Sequence, residues 1–252
     1  MSTLNLLIAE HFEGIIWRIE IDSISHTLFA EVRNHDDRRV NFTAIDLNTG
    51  RTLFKDKAID EQWLTGIETA YNGIILLHFY QTTNAPTHKG LMALEALTGN
   101  TLWSNFNYSY NHLTVNGPVL YDSRLQPPKL QLVDIVTGVA ERPFEPAIDI
   151  DYTNNVHIPQ QSATLSRLPL LPVEPYGDHM QYIKYNNLII VSLHAVWAGQ
   201  LRQYLFVINN QEIIFEDILN MNIQKLQPEA FVLYRNQLIY LKDKSEIKVL
   251  NL

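Results

Sequence analysis

The sequence predicts an all-β protein built from repeated four-stranded antiparallel sheets, and three observations carry that expectation. Charged residues make up only 18% of the 252, too few for solvated helices laced with i,i+4 ion pairs. A strand–turn–strand pattern recurs three times along the first half of the chain. A second series of turns, built on Asn, runs between its copies. With 46% hydrophobic residues, the chain has the material for a sizeable buried core.

The first copy of the hairpin is Ala44-Ile45-Asp46-Leu47-Asn48-Thr49-Gly50, followed by Leu53-Phe54. The second is Ala93-Leu94-Glu95-Ala96-Leu97-Thr98-Gly99, followed by Leu102-Trp103, and the third is Leu132-Val133-Asp134-Ile135-Val136-Thr137-Gly138. In each, a strand ends in an acid whose side chain caps the turn, and Gly takes a position that needs φ > 0. In the first two, the next strand begins with an aromatic facing inward. The turns at Asn72-Gly73, Asn116-Gly117, Asn154-Asn155, Asn186-Asn187 and Asn236 lie between strand-like runs. Asn occurs 21 times against 10 Gly, so Asn is expected to supply left-handed turn positions. The second period then reads as four strands near 62–70, 74–80, 89–95 and 100–105. Phe206 to Gln211, followed by Ile214-Phe215, is a degenerate copy.

The last strand, Ile247 to Leu252, aligns with Phe42 to Leu47, so the sequence stops where a turn and a fourth strand should follow. Counting back from the turn at Asp22-Ser23-Ile24-Ser25 places the missing strand at about Leu4 to Ala9. The first strand is therefore expected to complete the last sheet and close a β-propeller, which leaves only short, protected edges. Residues 1–252 are expected to form one propeller domain. Six blades, one lacking its outer strand, are favoured over five with a long insertion. Six of the eleven prolines, at 143, 146, 159, 169, 172 and 175, mark the segment 143–176 as edge strand or loop.

These residues resemble the quinoprotein-type (PQQ-like) repeat, whose blades carry A-x-D-x-x-T-G-x-x-x-W. Ala44, Asp46, Thr49, Gly50 and Phe54 match it with Phe for Trp. Ala93, Thr98, Gly99 and Trp103 match with Glu95 for Asp; Asp134, Thr137 and Gly138 match without the aromatic. The resemblance covers about residues 40–140. It implies a propeller in which the Thr-Gly motifs are structural, and function does not transfer with the fold. The family's dehydrogenases resemble much larger eight-bladed rings with adjacent cysteines; this chain has no Cys, and no quinone or other cofactor is expected.

A net charge of −8, with no basic run longer than Arg38-Arg39, disfavours nucleic acid as a partner. The absence of Cys excludes disulfides, thiolate metal sites and Cys nucleophiles. Met1 to Asn5 has no basic n-region, so no signal peptide is expected. The apolar run Ile74 to Tyr80 is too short for a membrane span. A cytoplasmic monomer follows as the default expectation.

Ligand-bearing connections in a propeller gather on one face. The residues expected there are His35, Asp36 and Asp37 in the Asn34-to-Arg38 loop, His88 at the end of the Gln81-to-His88 loop, and Trp197 beside Ala198-Gly199-Gln200. The nine histidines show no H-x-H or H-E-x-x-H spacing, and no metal site is expected from spacing alone. Asp178-His179 are strand neighbours that would point to opposite faces. Glu20, Glu68, Asp149 and Asp151 stand where inner-strand carboxylates could converge, although nothing in their spacing selects them. No G-x-S-x-G occurs. Trp17, Trp63 and Trp103 are expected to pack between blades. The expectation is a non-catalytic binding or interaction module with an unknown protein or small-molecule partner. The alternative is a carbohydrate-active or other small-molecule enzyme, and a cluster of carboxylates or histidines would favour it.

Overall fold

The computed structural model describes residues 4–60, 63–82, 85–162, 171–177, 180–227 and 230–252, with side chains at all of these except 85, 86 and 162. Among them there are strands and turns and no helix. The chain divides into two compact units, one of Glu13–Asn154 and one of Met1–Phe12 with Asn155–Leu252.

The Glu13–Asn154 unit holds three four-stranded antiparallel sheets. The first runs β2 (Ile15–Asp22), β3 (Thr27–Asn34), β4 (Arg39–Asp46), β5 (Thr52–Ala58). The second runs β6 (Thr65–Tyr71), β7 (Ile74–Thr82), β8 (Ala85–Glu95), β9 (Thr101–Asn105), close to the four expected ranges. The third runs β10 (Tyr108–Thr114), β11 (Gly117–Asp122), β12 (Gln131–Val133), β13 (Ala140–Pro143).

The repeated hairpin forms as its residues require. Asp46 Oδ1 accepts the amide of Asn48 at 2.8 Å and Thr49 Oγ1 donates to Asp46 Oδ2 at 2.7 Å. Asp134 caps Val136 and Thr137 in the same way. Gly50, Gly99 and Gly138 all take positive φ, at 73°, 68° and 71°. Their second role was not visible in the sequence. A Cβ on Gly99 would stand 3.1 Å from the Phe54 ring, and one on Gly138 only 2.6 Å from the Trp103 ring. Gly99 and Gly138 thus each seat the aromatic of the preceding repeat, and Trp103 Nε1 donates to Ile135 O at 2.8 Å. Phe29, Phe42, Ile67, Ile75 and Leu77 form the main core of this unit, each fully buried. Burying one such side chain contributes roughly 1.5–3 kcal/mol. Trp17 departs from its expected packed role: it is 61% exposed, because it occupies the bulge between Ile16 and Arg18.

The other unit holds two five-stranded sheets. β1 (Asn5–His11) pairs antiparallel with β22 (Glu246–Asn251), so the first strand of the chain completes the last sheet as expected. β20 (Phe231–Tyr234) and β21 (Gln237–Lys242) continue that sheet. β16 (Met180–Tyr185), β17 (Leu188–Trp197), β18 (Gln200–Asn209) and β19 (Glu212–Ile223) form the regular part of the other, with Asn186 and Asn210 in left-handed turn positions. The fifth strands come from the proline-rich segment. β14 (Val156–His157) adds to β20 and β15 (Gln160–Ser162) adds to β16. Asn154-Asn155 precedes β14 rather than making the expected turn between two regular strands, since that segment supplies only these short edge strands. Five sheets in all form among the described residues.

Candidate functional site

β6 is an edge strand of its sheet, so one side of its backbone lacks a strand partner. Side chains of β2 and β3 supply the missing partners. Arg33 Nη2 donates to Thr65 O at 2.7 Å, the Ile67 amide donates to Glu31 Oε2 at 2.8 Å, and Arg18 donates to Ile67 O and Glu68 O at 2.9 and 3.0 Å. Arg33 is itself fixed by Glu31 Oε1 at 2.7 Å and lies 5.5 and 5.3 Å from the Trp17 and Trp63 ring centres. Both members of this ion pair are buried.

The clamped stretch contains a β-bulge between Ile67 and Thr69, and Glu68 is the extra residue. A bulge re-aims a side chain, and bulges gather beside functional sites. The Glu68 carboxylate meets two imidazoles from successive strands of the same sheet. Its Oε2 lies 2.8 Å from His88 Nδ1 on β8 and 3.1 Å from His78 Nδ1 on β7. The two rings are stacked, with centroids 3.5 Å apart and planes 6° from parallel. Tyr80 presents its ring edge-on to both. His78 is 2% exposed. Its contact with Glu68 falls outside hydrogen-bond geometry, and neither of its ring nitrogens has a hydrogen-bond partner.

Further ionisable groups surround this trio. Glu20 on β2 accepts from Arg18 at 3.0 Å. Burial pushes the Glu20 carboxyl up, with the Glu68 charge adding to the rise and Arg18 opposing it. Burial also acts to raise Glu68, but the two imidazoles together outweigh it and hold that carboxyl below its usual range. Tyr110, on β10, is pushed up to about 12, chiefly by burial and then by the two glutamates against its bond to Thr69. The sequence of the first three sheets therefore brings two carboxylates, two imidazoles, a guanidinium and a phenol into electrostatic contact.

The expected site residues have different fates. His88 belongs to the cluster, but it sits on β8 and not in a loop, because the β7–β8 hairpin runs on to a Thr82–Ala85 pair. His35, Asp36 and Asp37 form the exposed β3–β4 turn, with Asn34 Oδ1 accepting the two Asp amides. Trp197 lies in the other unit, 55% exposed at the end of β17. Glu20 and Glu68 come together. Asp149 is instead held by Arg142 at 2.5 Å and by Asn116, and Asp151 is a largely exposed residue 3.6 Å from His112. Asp178-His179 lie outside the described residues. His78 was not singled out in the sequence, and its only signal is a polar residue inside an otherwise apolar strand.

Residues 21–103 match a family described as a domain of unknown function, DUF4905. No curated protein matches the chain. Among solved structures it is similar to a bifunctional GH43-CE protein of Bacteroides eggerthii, at 11% identity and a TM-score of 0.30, covering 95% of this chain and 33% of that one. It is also similar to BamB from Moraxella catarrhalis, at 11% identity and a TM-score of 0.25, covering 95% and 86%. A third is an endo-arabinase from Bacteroides thetaiotaomicron, at 10% identity and a TM-score of 0.27, covering 96% and 97%. The chain thus spans one third of the first of these proteins, and likenesses this distant carry no argument about function. No helix among the described residues is long and apolar enough to cross a membrane.

Proposed function

We propose that the chain is a quinoprotein-type β-propeller of five blades and that it binds a small polar ligand at the Glu20–Glu68–His78–His88 cluster. The observation that carries this reading is Glu68, a bulge residue whose carboxylate is aimed at two stacked imidazoles. A sheet that only needed to be stable would fill such a place with apolar side chains, because burying ionisable groups is costly. Titratable groups perturbed by burial and by a specific charge partner cluster at functional sites. The five sheets among the described residues and the β1–β22 pairing support the ring and its blade number. This places a small-molecule site ahead of the purely interaction-based module, and carboxylates converging in one place keep a small-molecule enzyme open as its active form.

Ligand-observed NMR of the full chain against sugars and small carboxylic and amino acids tests this. The expected result is a hit that disappears in Glu20→Gln and His88→Ala while both variants keep the wild-type circular dichroism spectrum. Hits indifferent to both substitutions, or no hits at all, would overturn the reading. A second reading, a docking surface for a protein, is favoured by Val196 and Trp197, 51% and 55% exposed at one hairpin tip. Trp197→Ala would abolish it without affecting the small-molecule hit.

A further inference from the structure

We propose that Glu68, His78 and His88 are the protein ligands of a divalent transition-metal ion of the zinc class. This rests on reading the cluster as the working site and names the ion that site takes.

The donor set is two imidazoles and one carboxylate, which suits zinc-class ions and leaves a fourth position open for water or a ligand. One donor atom from each residue lies within 4.8 Å of the others. In a tetrahedral zinc site, neighbouring donors stand about 3.3 Å apart. The 2.8 and 3.1 Å separations between the Nδ1 atoms and Glu68 Oε2 need a small expansion, and the stacked rings must turn out of parallel so that both in-plane Nδ1 lone pairs meet at one ion.

The independent observation is His78. A buried neutral imidazole has one nitrogen that donates and one that accepts, and buried polar atoms are nearly always satisfied. Here Nε2 has no partner and Nδ1 has only its 3.1 Å contact with Glu68 Oε2. If Nδ1 carries the proton, a buried lone pair is left at Nε2; if Nε2 carries it, the Nδ1 lone pair faces a carboxylate oxygen. A cation between Glu68 Oε2 and the two Nδ1 atoms takes both lone pairs and the carboxylate charge at once.

With the ion on Nδ1, the remaining His78 proton sits on Nε2, which has no hydrogen-bond partner in this structure. A ligating His commonly offers its other N–H to a carboxylate or carbonyl, which fixes its tautomer. The point where a Cβ on Gly66 would stand is 3.0 Å from His78 Nε2 and 3.2 Å from Glu31 Oε2, so imidazole and carboxylate border one gap that only glycine leaves free. Glu68 is in turn held from behind, through the Arg18 bonds to Ile67 O and Glu68 O.

The test is isothermal titration of the chelator-treated full chain with Zn²⁺. It is repeated on His88→Ala, chosen because this side chain is 36% exposed, and on Glu68→Gln, both checked for folding by circular dichroism. The expected result is one Zn²⁺ per chain, with affinity lower in each variant by at least about 100-fold, the upper end of what losing even an outer-shell partner costs. Co²⁺ in place of Zn²⁺ should give the intense visible absorption of a tetrahedral site in wild type and lose it in the variants. No binding by wild type, or equal affinity in wild type and variants, would overturn the proposal. The NMR screen on metal-free protein separates the two readings: a hit that depends on Glu20 but no Zn²⁺ binding sinks the metal alone, and neither sinks both.

Discussion

His78 and His88 lie face to face 3.5 Å apart, one on each strand of the β7–β8 hairpin, with a single Glu68 oxygen in contact with an Nδ1 of both. That relationship depends on space left by a third residue, Gly66, which pairs with His78 across the ladder. A methyl group there would meet the His78 ring at 3.0 Å and Glu31 at 3.2 Å.

Gly66→Ala is therefore predicted to displace His78 while costing only about 1–2 kcal/mol of stability. Thermal melts together with Zn²⁺ titration check this: a small fall in Tm should accompany a large fall in affinity. Unchanged affinity would mean the gap over Gly66 plays no part in the site.

Glu31 and Arg33 form a buried pair that also supplies hydrogen bonds to the open edge of β6. Removing one charge leaves the other buried without compensation, so Glu31→Gln should destabilise by about 3–5 kcal/mol. The double change Glu31→Gln with Arg33→Met should cost less than the sum of the two single changes. Chemical denaturation of the three variants measures the coupling directly, and strict additivity would contradict the arrangement.

Two turn glycines, one in the repeat and one outside it, differ in what surrounds them. Gly138 and Gly199 both hold positive φ, 71° and 79°, yet only Gly138 has a neighbour against its missing Cβ, the Trp103 ring at 2.6 Å. Gly199→Ala should cost about 1 kcal/mol from backbone strain alone. Gly138→Ala adds the clash and should cost about 2–4 kcal/mol. Equal melting temperatures for the two would mean that the aromatic seat contributes nothing.

The repeated hairpin is legible in the sequence because it rests on local chemistry. Asp46, Thr49 and Gly50 encode their turn within a few residues, and the regular spacing carried the prediction to β1, whose pairing with β22 links the two ends of the sequence. The prolines mark the segment that supplies the two extra edge strands but not their positions, since Val156–His157 and Gln160–Ser162 are too short to show alternation around Pro159. The site was legible only in pieces. The sequence points to His88 and offers Glu20 and Glu68 without selecting them, because Glu68 reaches the histidines through a bulge, and a bulge depends on pairing that period-2 alternation does not reveal.

In the other unit, Asp217 on β19 accepts from Lys242 Nζ at 2.5 Å, Tyr240 OH at 2.9 Å and Lys248 Nζ at 3.2 Å. Burial acts to raise its carboxyl, but Lys242, Tyr240 and Lys248 together hold it below the usual range. Because its folded pKa lies below its unfolded one, the stabilisation is fully present above the unfolded value, about 3.9, and is lost as pH falls through the folded value. The site is partly open to water, so Asp217→Asn should cost only about 1 kcal/mol at neutral pH. It should also flatten the fall in stability on the acid side of pH ~4. A variant whose stability falls with acid as steeply as wild type would contradict this.

The most direct measurement is a crystal structure of the full chain grown with Zn²⁺, with anomalous data collected on both sides of the zinc absorption edge. The account predicts one strong edge-dependent peak about 2.0–2.2 Å from a Glu68 carboxylate oxygen and from a ring nitrogen each of His78 and His88. A map with no peak there, or with zinc only on exposed histidines such as His35, would contradict it.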